Sequence, residues 1–227
     1  IHAAVSGESS ASYAMPLNNL AYANEDLGDY AQAIALYERS LAIRSAVLPD
    51  TDPVVLRARQ NLARALTGAG RLEAARAPLE AALAGMRARF GEDDANTAKV
   101  ELVQADWLLR SGRVDEANDT LALLQESGAR FTPLMLARRD AVAAAIARAR
   151  DDPALELEKR RTAYETMREA SGAMHPFVAQ FALDYAQALS SQGHAAQARA
   201  LVDPLRSMID STFATDAPIR RQLAHWR

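Results

Sequence analysis

Histidine and cysteine, the side chains that most often carry catalysis or bind metals, are sparse in this chain. There is no cysteine, and the four histidines at 2, 175, 194 and 225 are scattered along 227 residues. The absence of cysteine excludes disulfides, thiolate zinc sites and a cysteine nucleophile. No G-x-S-x-G, H-E-x-x-H, P-loop, G-x-G-x-x-G or kinase catalytic-loop pattern occurs. The sequence therefore predicts no catalytic residue and no enzyme.

Charged residues occur in short runs that suit helix ends better than metal or nucleic-acid sites. The acidic runs at 92–94 and 151–152 lie in predicted loops, where they are typical of helix caps. Arg-Arg pairs occur at 138–139, 160–161 and 220–221, too far apart for a basic stripe with aromatic partners. We expect no metal, no cofactor and no nucleic-acid partner.

The overall composition favours a helical protein with a sizeable core. Lys and Arg number 26 and Asp and Glu 29, so the net charge of −3 argues against a strongly basic nucleic-acid or membrane-surface binder. Hydrophobic residues make up 49% of the chain and alanine roughly a fifth, whereas only 10 glycines and 9 prolines occur. No apolar run approaches the ~20 residues of a membrane span, so we expect no membrane insertion. The lack of cysteine suits the cytoplasm, with the periplasm as the alternative.

Three glycines mark a sequence period of 42 residues: Gly28, Gly70 and Gly112. A similar phrase follows each glycine, an alanine lies seven residues before it, and the phrase returns at Gly193. The 81 residues between the last two glycines leave room for one 39-residue and one 42-residue repeat, with a degenerate turn at 151–152. Five matches at one period predict a repeat protein.

Each repeat is predicted to contain two helices. Apolar residues step at three and four residues on both sides of the glycine, and the glycine ends the first helix because it accepts positive φ. Prolines at helix starts and inside second helices (Pro78 and Pro204) predict boundaries and bends, respectively. The predicted helices span 13–27, 30–47, 53–68, 72–90, 95–110, 114–126, 133–149, 153–170, 176–191, 195–210 and 217–226.

The phrases Leu17-Asn18-Asn19-Leu20-Ala21, Gly28-Asp29-Tyr30 and Tyr37-Glu38-Arg39-Ser40-Leu41 resemble the tetratricopeptide repeat, in the 42-residue variety found in kinesin light chains and many bacterial regulators. The joint Met174-His175-Pro176 is similar to that variety too. The resemblance implies an all-α fold, a right-handed α-α superhelix (solenoid) of about five helix pairs with a C-terminal capping helix. The domains implied are an N-terminal remnant over 1–12 and a solenoid over 13–227, with repeats near 13–52, 53–94, 95–132, 133–175 and 176–216 and the cap over 217–227.

In tetratricopeptide proteins, first-helix positions thirteen, ten, nine and six residues before the turn glycine form a concave face. The resemblance therefore implies that a peptide segment of a partner protein lies in a concave groove of this chain. Asparagine amides can both donate to and accept from a peptide backbone, and cations in the middle of the groove favour a carboxylate or an acidic segment. The predicted partner-binding residues are Asn18, Asn19, Tyr22, Arg57, Asn61, Arg64, Lys99, Asp106, Gln180 and Asp184.

A structural role is the alternative for several of these residues. Asn19 and Asn61 could tie neighbouring helices together, and the three cations could be ordinary solvated charges with salt-bridge partners. Tetratricopeptide proteins that grip C-terminal carboxylates use two lysines, two asparagines and an arginine. Asn61 and Lys99 match that pattern and three other positions depart from it, so a full carboxylate clamp is not expected.

The resulting functional hypothesis is a protein–protein interaction module, an adaptor or scaffold within a larger bacterial signalling or regulatory protein. The alternative is a structural role: self-association, for example as a homodimer, or intramolecular regulation of a kinase, transcriptional regulator or protease whose active part lies outside this chain. Exposed apolar side chains on the second helices would favour the alternative. A polar outer face with an occupied groove would favour the interaction module.

Overall fold

The computed structural model describes residues 11–215 and 217–226, so the first ten residues of the predicted N-terminal remnant lie outside it. Within the described residues the secondary structure is helical. The elements are α1 (Ala11–Asp26), α2 (Tyr30–Ser45), α3 (Pro53–Gly68), α4 (Leu72–Phe90), α5 (Ala95–Arg110), α6 (Val114–Glu126), α7 (Pro133–Ala149), α8 (Pro153–Ser171), α9 (Pro176–Ser191), α10 (Ala195–Val202), a 3-10 turn (Asp203–Leu205), α11 (Arg206–Thr212) and α12 (Pro218–Ala224).

One predicted helix, at 195–210, is wrong as a single element. A 3-10 turn separates α10 from α11 at Pro204, which has no backbone N–H to donate into the helix. Pro78 lies inside α4 and leaves that helix continuous. The difference between the two sites shows that an internal proline does not by itself decide where a helix ends.

The five turns inside the helix pairs share one backbone geometry. In each, the residue after the left-handed position donates its N–H to a carbonyl five residues back, a Schellman-type helix end. The fourth turn lies where the sequence predicts it, and Asp151 takes the glycine position with φ +56°. The donors and acceptors are Asp29 to Asn24 (2.8 Å), Arg71 to Leu66 (2.9 Å), Arg113 to Leu108 (2.9 Å), Asp152 to Ala147 (2.9 Å) and His194 to Leu189 (2.9 Å).

Short polar side chains cap the N-termini of five of the described helices. The Asp29 carboxylate accepts the backbone N–H of Gln32 at 3.0 Å, as its position after the turn glycine predicts. Asp52 and Asp94 cap α3 and α5 in the same way, at 2.8 and 2.7 Å from the N–H two residues on. These caps satisfy N–H groups that have no partner within the helix, so they define where the chain enters each helix.

The chain divides into two compact units. Among the described residues, the first contains 11–113 together with 122–129, and the second contains 114–121 and the described residues from 130 to 226. In the first unit α1 packs on α2, α2 on α3, α3 on α4 and α4 on α5, and α3 also contacts α1 and α5. In the second unit α7 packs on α8, α8 on α9 and α9 on α10, and α12 contacts α9 and α11.

Alanines form the closest contacts of the helix pairs. Every alanine seven residues before a turn is fully buried, because only a small side chain fits where two helices approach closely. Larger side chains such as Tyr37, Leu56 and Met86 fill the remaining space. The five alanines are Ala21, Ala63, Ala105, Ala144 and Ala186.

Candidate functional site

The predicted binding residues fall in both units. Eight of them lie on α1, α3 and α5 of the first unit, whose middle helix contacts the other two. Gln180 and Asp184 lie on α9 of the second unit. We call the surface formed by Asn18, Asn61, Arg57 and Lys99 the first-unit face.

Arg64 is engaged by the protein itself. Its Nε and Nη2 donate to the two carboxylate oxygens of Glu25, each at 2.7 Å, and Nη2 also donates to the hydroxyl of Tyr37 at 3.3 Å. The Tyr37 hydroxyl in turn donates to Glu25 at 3.0 Å, and the Tyr22 ring lies 5.1 Å from the guanidinium carbon. The side chains of Arg64 and Glu25 are only 17% and 9% exposed. Arg64 and Tyr22 thus tether α3 to α1 and α2.

The electrostatics of this network reinforce its geometry. Burial lowers the pKa of Arg64, but the Glu25 carboxylate and its hydrogen bonds outweigh burial and raise that pKa above its usual value. Burial, with the charge of Glu25, raises the pKa of the Tyr37 phenol. Arg64 therefore stays charged and paired, and Tyr37 stays a neutral donor.

The two asparagines bridge neighbouring first helices. The Asn61 amide nitrogen donates to the Asn18 amide oxygen at 3.0 Å, and both side chains are half-buried. This contact uses one donor of Asn61 and one acceptor site of Asn18, so the other amide groups keep their hydrogen-bonding capacity. The neighbouring Asn19 is exposed. The structural role predicted as an alternative for Asn61 is therefore present in the structure, and it leaves polar groups for a ligand.

Two cations of the first-unit face have no acidic partner within the described part of the chain. Arg57 is exposed and Lys99 half-buried, and the two occupy equivalent positions of α3 and α5, 42 residues apart. Asp106 is the acidic residue of α5 among the predicted binding residues. Its carboxylate accepts from Nε of Arg110, one helical turn further along, at 2.9 Å. The first-unit face consequently carries uncompensated positive charge.

Arg44 adds to this charge, and sequence reasoning did not select it. Its Nη1 donates to the carbonyl of Val54 at 3.2 Å, at the start of α3, while its Nε is buried without a hydrogen-bond partner in the described chain. Burial and the charge of Arg57 lower the pKa of Arg44. Arg57 lies one helical turn after Val54, whose carbonyl Arg44 contacts. The sequence signal that could have identified Arg44 beside Arg57 is therefore a basic residue in the last turn of α2.

In the second unit, Asp184 is surrounded by donors. Its Oδ1 accepts from the amides of Gln180 at 2.9 Å and Gln222 at 3.2 Å, and its Oδ2 accepts from Arg160 at 3.4 Å. The Gln180 amide also donates to the Gln222 oxygen at 2.9 Å. These bonds connect α8, α9 and α12, and they neutralise the only charge that the sequence assigned to this part of the site.

The described residues contain no cluster of three or more His, Asp or Glu side chains that could hold a metal ion. Among the same residues, no helix combines the length and the apolar character needed to cross a membrane.

The fold and the face together define a helical-repeat protein built from tetratricopeptide-type helix pairs. Residues 12–88 match the family model of the tetratricopeptide repeat. One similar solved structure is of a Podosopora anserina protein described as a kinesin light chain, whose TPR-like repeats are nearly identical to one another. It has 21% sequence identity to this chain and a TM-score of 0.54, and the alignment covers 89% of this chain and 98% of that chain. BtubC (BKLC) from P. vanneervenii has 19% identity and a TM-score of 0.58, over 88% of this chain and 81% of that chain. No curated protein matches the chain.

The predicted resemblance is therefore confirmed, in sequence over residues 12–88 and in fold over most of the chain. The predicted fold class, all-α with tetratricopeptide helix pairs, is confirmed as well. Tetratricopeptide folds are generally protein–protein interaction modules and typically non-catalytic scaffolds. At these identities the likeness to the solved structures concerns the fold alone.

Proposed function

We propose that the first unit binds an extended acidic peptide segment of a partner protein on the first-unit face. The observation that carries this proposal is the pair of equivalent cations, Arg57 and Lys99, on first helices of neighbouring repeats and without acidic partners in the described residues. Unpaired charges of one sign on adjacent helices favour a ligand of the opposite sign.

Arg44 strengthens the electrostatic part of the proposal. Its guanidinium lies at the N-terminal end of α3, where the helix dipole is itself positive, and the Arg57 charge lies nearby. Two cations at a positive helix end repel each other unless an anion lies between or beside them. A carboxylate of a bound peptide would relieve that repulsion.

The asparagines supply the neutral part of the proposed site. Since Asn18 and Asn61 already hold each other in place, their remaining amide groups are oriented before a ligand arrives. A peptide backbone has both a donor and an acceptor, which a paired amide can satisfy together. Pre-oriented side chains lose little entropy on binding, and this favours a peptide whose backbone passes close to Asn61.

The spacing of the cations restricts the ligand. Packed helices lie about 8–10 Å apart, and an extended chain advances about 3.3–3.6 Å per residue. Carboxylates that contact Arg57 and Lys99 at the same time should therefore be separated by two or three residues in the ligand.

The direct test is fluorescence anisotropy with labelled octapeptides that carry two glutamates three residues apart, or two glutamines at the same positions. We expect the glutamate peptide to bind and the Arg57→Ala, Lys99→Ala double variant to bind it about tenfold more weakly or worse, because two charge-assisted contacts are lost. Raising the ionic strength should weaken the wild-type complex as well.

The matched control removes two exposed cations elsewhere, Arg71→Ala and Arg161→Ala. This variant changes the net charge by the same amount and should keep the wild-type affinity. Equal losses of affinity in both double variants would show that binding depends on net charge and not on these two positions. Unchanged affinity in the Arg57→Ala, Lys99→Ala variant would overturn the proposal. Unchanged thermal unfolding in both variants would show that binding, not folding, was altered.

The self-association alternative finds less support in the second helices. Phe90, Leu123 and Leu155 are exposed, by 37%, 68% and 38% of their surface, but they lie on three different helices, α4, α6 and α8. Single exposed leucines are normal on monomeric proteins.

A further inference from the structure

The α1 helix carries a row of apolar residues that the first unit leaves partly or largely accessible. Leu20 is 53% exposed, Ala23 is exposed, and Tyr13, Pro16 and Leu27 are half-buried. Leu27 directly follows α1 and continues it, since its N–H donates to the Ala23 carbonyl at 3.1 Å. The five residues recur at intervals of three and four, so at about 100° per residue they lie on one side of the helix. We call this row the α1 stripe.

The equivalent stripe of the next repeat is covered. α3 packs on α2, and the Arg44 guanidinium of α2 reaches the carbonyl of Val54, beside the first residue of that stripe. The helix that precedes α3 therefore buries these positions, and among the described residues α1 has no preceding helix. The α3 residues that lie 42 positions after the first four of the α1 stripe are Val55 (0% exposed), Ala58 (1%), Leu62 (7%) and Ala65 (0%).

The spacing of the α1 stripe indicates what could cover it. Tyr13, Leu20 and Leu27 are seven residues apart, and Pro16 and Ala23 lie between them at the other apolar positions of a heptad. A seam this narrow fits one other helix with the same spacing. Because the pattern is nearly symmetric about Leu20, the α1 helix of a second copy meets this requirement when it runs antiparallel.

Charges at the two ends of the α1 stripe favour the antiparallel orientation. The Arg39 guanidinium carbon lies 5.4 Å from the centroid of the Tyr13 ring, at the N-terminal end of the stripe. The carboxylates of Asp26 and Asp29 belong to the C-terminal end. An antiparallel second copy brings the cation of one copy towards the carboxylates of the other, whereas a parallel copy would place like charges together. The helix dipoles favour the same orientation.

We propose that two copies of this chain associate through antiparallel packing of their α1 stripes, with Leu20 of one copy facing Leu20 of the other at a two-fold axis. Such a contact uses the same surface on both copies and removes both stripes from water. The step from Asn18 to Leu20 turns the helix by about 200°, so the α1 stripe and the first-unit face lie on opposite sides of α1. The dimer does not use the proposed peptide site, and the two proposals can fail separately.

The first test is sedimentation velocity of the full chain between about 1 and 300 µM, a range that brackets the dissociation constants of weak complexes. We expect the wild-type chain to change from monomer to dimer within this range. Leu20→Glu should raise the dissociation constant of the dimer about tenfold or more, because it places two like charges at the two-fold axis. The matched control is Leu123→Glu, the same substitution at an exposed leucine of α6, and it should dimerise as the wild type does.

The second test reads the orientation by disulfide cross-linking, since the chain has no cysteine of its own. Antiparallel packing brings position 13 of one copy to position 27 of the other. A mixture of the Tyr13→Cys and Leu27→Cys variants should therefore form a mixed disulfide dimer under mild oxidation. Each variant oxidised alone should form much less dimer, because its cysteines lie at opposite ends of the contact and beyond the reach of a disulfide.

A wild-type chain that remains monomeric up to about 300 µM would overturn the proposal. Dimerisation of Leu20→Glu as tight as that of the wild type, or an equal loss in Leu123→Glu, would overturn the role of the α1 stripe. Cross-links that form only in the separate cysteine variants would contradict the antiparallel packing. Circular dichroism and peptide binding of Leu20→Glu, both expected to match the wild type, distinguish loss of the dimer from loss of the fold.

Discussion

Two arginines on α3 show how one acid decides the role of a cation. Arg57 and Arg64 are separated by two helical turns, and both belong to the predicted binding residues. The Glu25 carboxylate accepts from Nε and Nη2 of Arg64, each at 2.7 Å, whereas Arg57 has no acid beside it in the described chain. Arg64 therefore contributes to the fold, and Arg57 keeps its charge for a partner.

At the residue scale we predict a large loss of stability for one of these two arginines and almost none for the other. Arg64→Ala removes the cation beside a carboxylate that is only 9% exposed and the donor to the Tyr37 hydroxyl, and it should lower the free energy of unfolding by about 3 kcal/mol. Arg57→Ala removes an exposed charge and should change it by less than about 0.5 kcal/mol. Urea denaturation followed by circular dichroism measures both. Equal effects of the two variants would contradict the assignment of the buried network.

At the element scale, glycine has two different tasks in this chain. Glycines such as Gly70 and Gly112 end first helices with positive φ and have open space around them. Gly85 lies inside α4 instead, where a Cβ would come within 2.4 Å of the Leu56 side chain on α3. The absence of a side chain at position 85 therefore lets α3 and α4 approach closely.

We predict that Gly85→Ala destabilises the protein although alanine is the better helix former. Leu56 is 1% exposed and has little room to move, so overpacking of about 1–3 kcal/mol should exceed the gain in helix propensity of about 1 kcal/mol. Gly128→Ala is the control, because nothing lies within 4 Å of a Cβ there and its φ is not positive. Thermal unfolding of both variants is the measurement. A more stable Gly85→Ala protein would show that α3 and α4 adapt to the extra carbon.

At the scale of the whole molecule, the chain forms two units, and α6 contributes residues to both. In a tetratricopeptide array each repeat is stabilised by contacts with its neighbours. Removal of the helix at one end should therefore lower the stability of the helices that contact it more than that of distant helices. In the second unit that end is α12, which buries Ile219 and Leu223 and donates from Gln222 to Asp184. The predicted capping role of this helix is open to a direct test.

Deletion of residues 217–227 should destabilise the second unit selectively. The deletion removes Ala217 and two large buried side chains, Ile219 and Leu223, each of the large ones worth about 1.5–3 kcal/mol. Their neighbours become exposed, so solubility should fall as well. Hydrogen exchange read by mass spectrometry should become faster in α9 and remain unchanged in α3. Equal exchange rates of α9 in the truncated and the full chain would show that the last helix does not cap the unit.

Local residue patterns were sufficient to predict the helix pairs. The 42-residue period, the turn glycines and the helix-starting prolines act through backbone conformation, and they located even the turn at Asp151 that lacks a glycine. The helix at 195–210 was the exception, because a 3-10 turn at Pro204 divides it. The predicted domain boundaries, the bacterial setting and the signalling role stay predictions.

By itself the sequence determined the class of fold, because turn chemistry and apolar periodicity are local properties of the chain. Only the tertiary structure decided which predicted binding residues have free polar groups. Glu25 precedes Arg64 by 39 residues, and Gln222 follows Asp184 by 38, so these pairs are invisible to local patterns. Hydrogen bonds and ion pairs depend on distances of about 3 Å, and such distances between remote residues are set by packing.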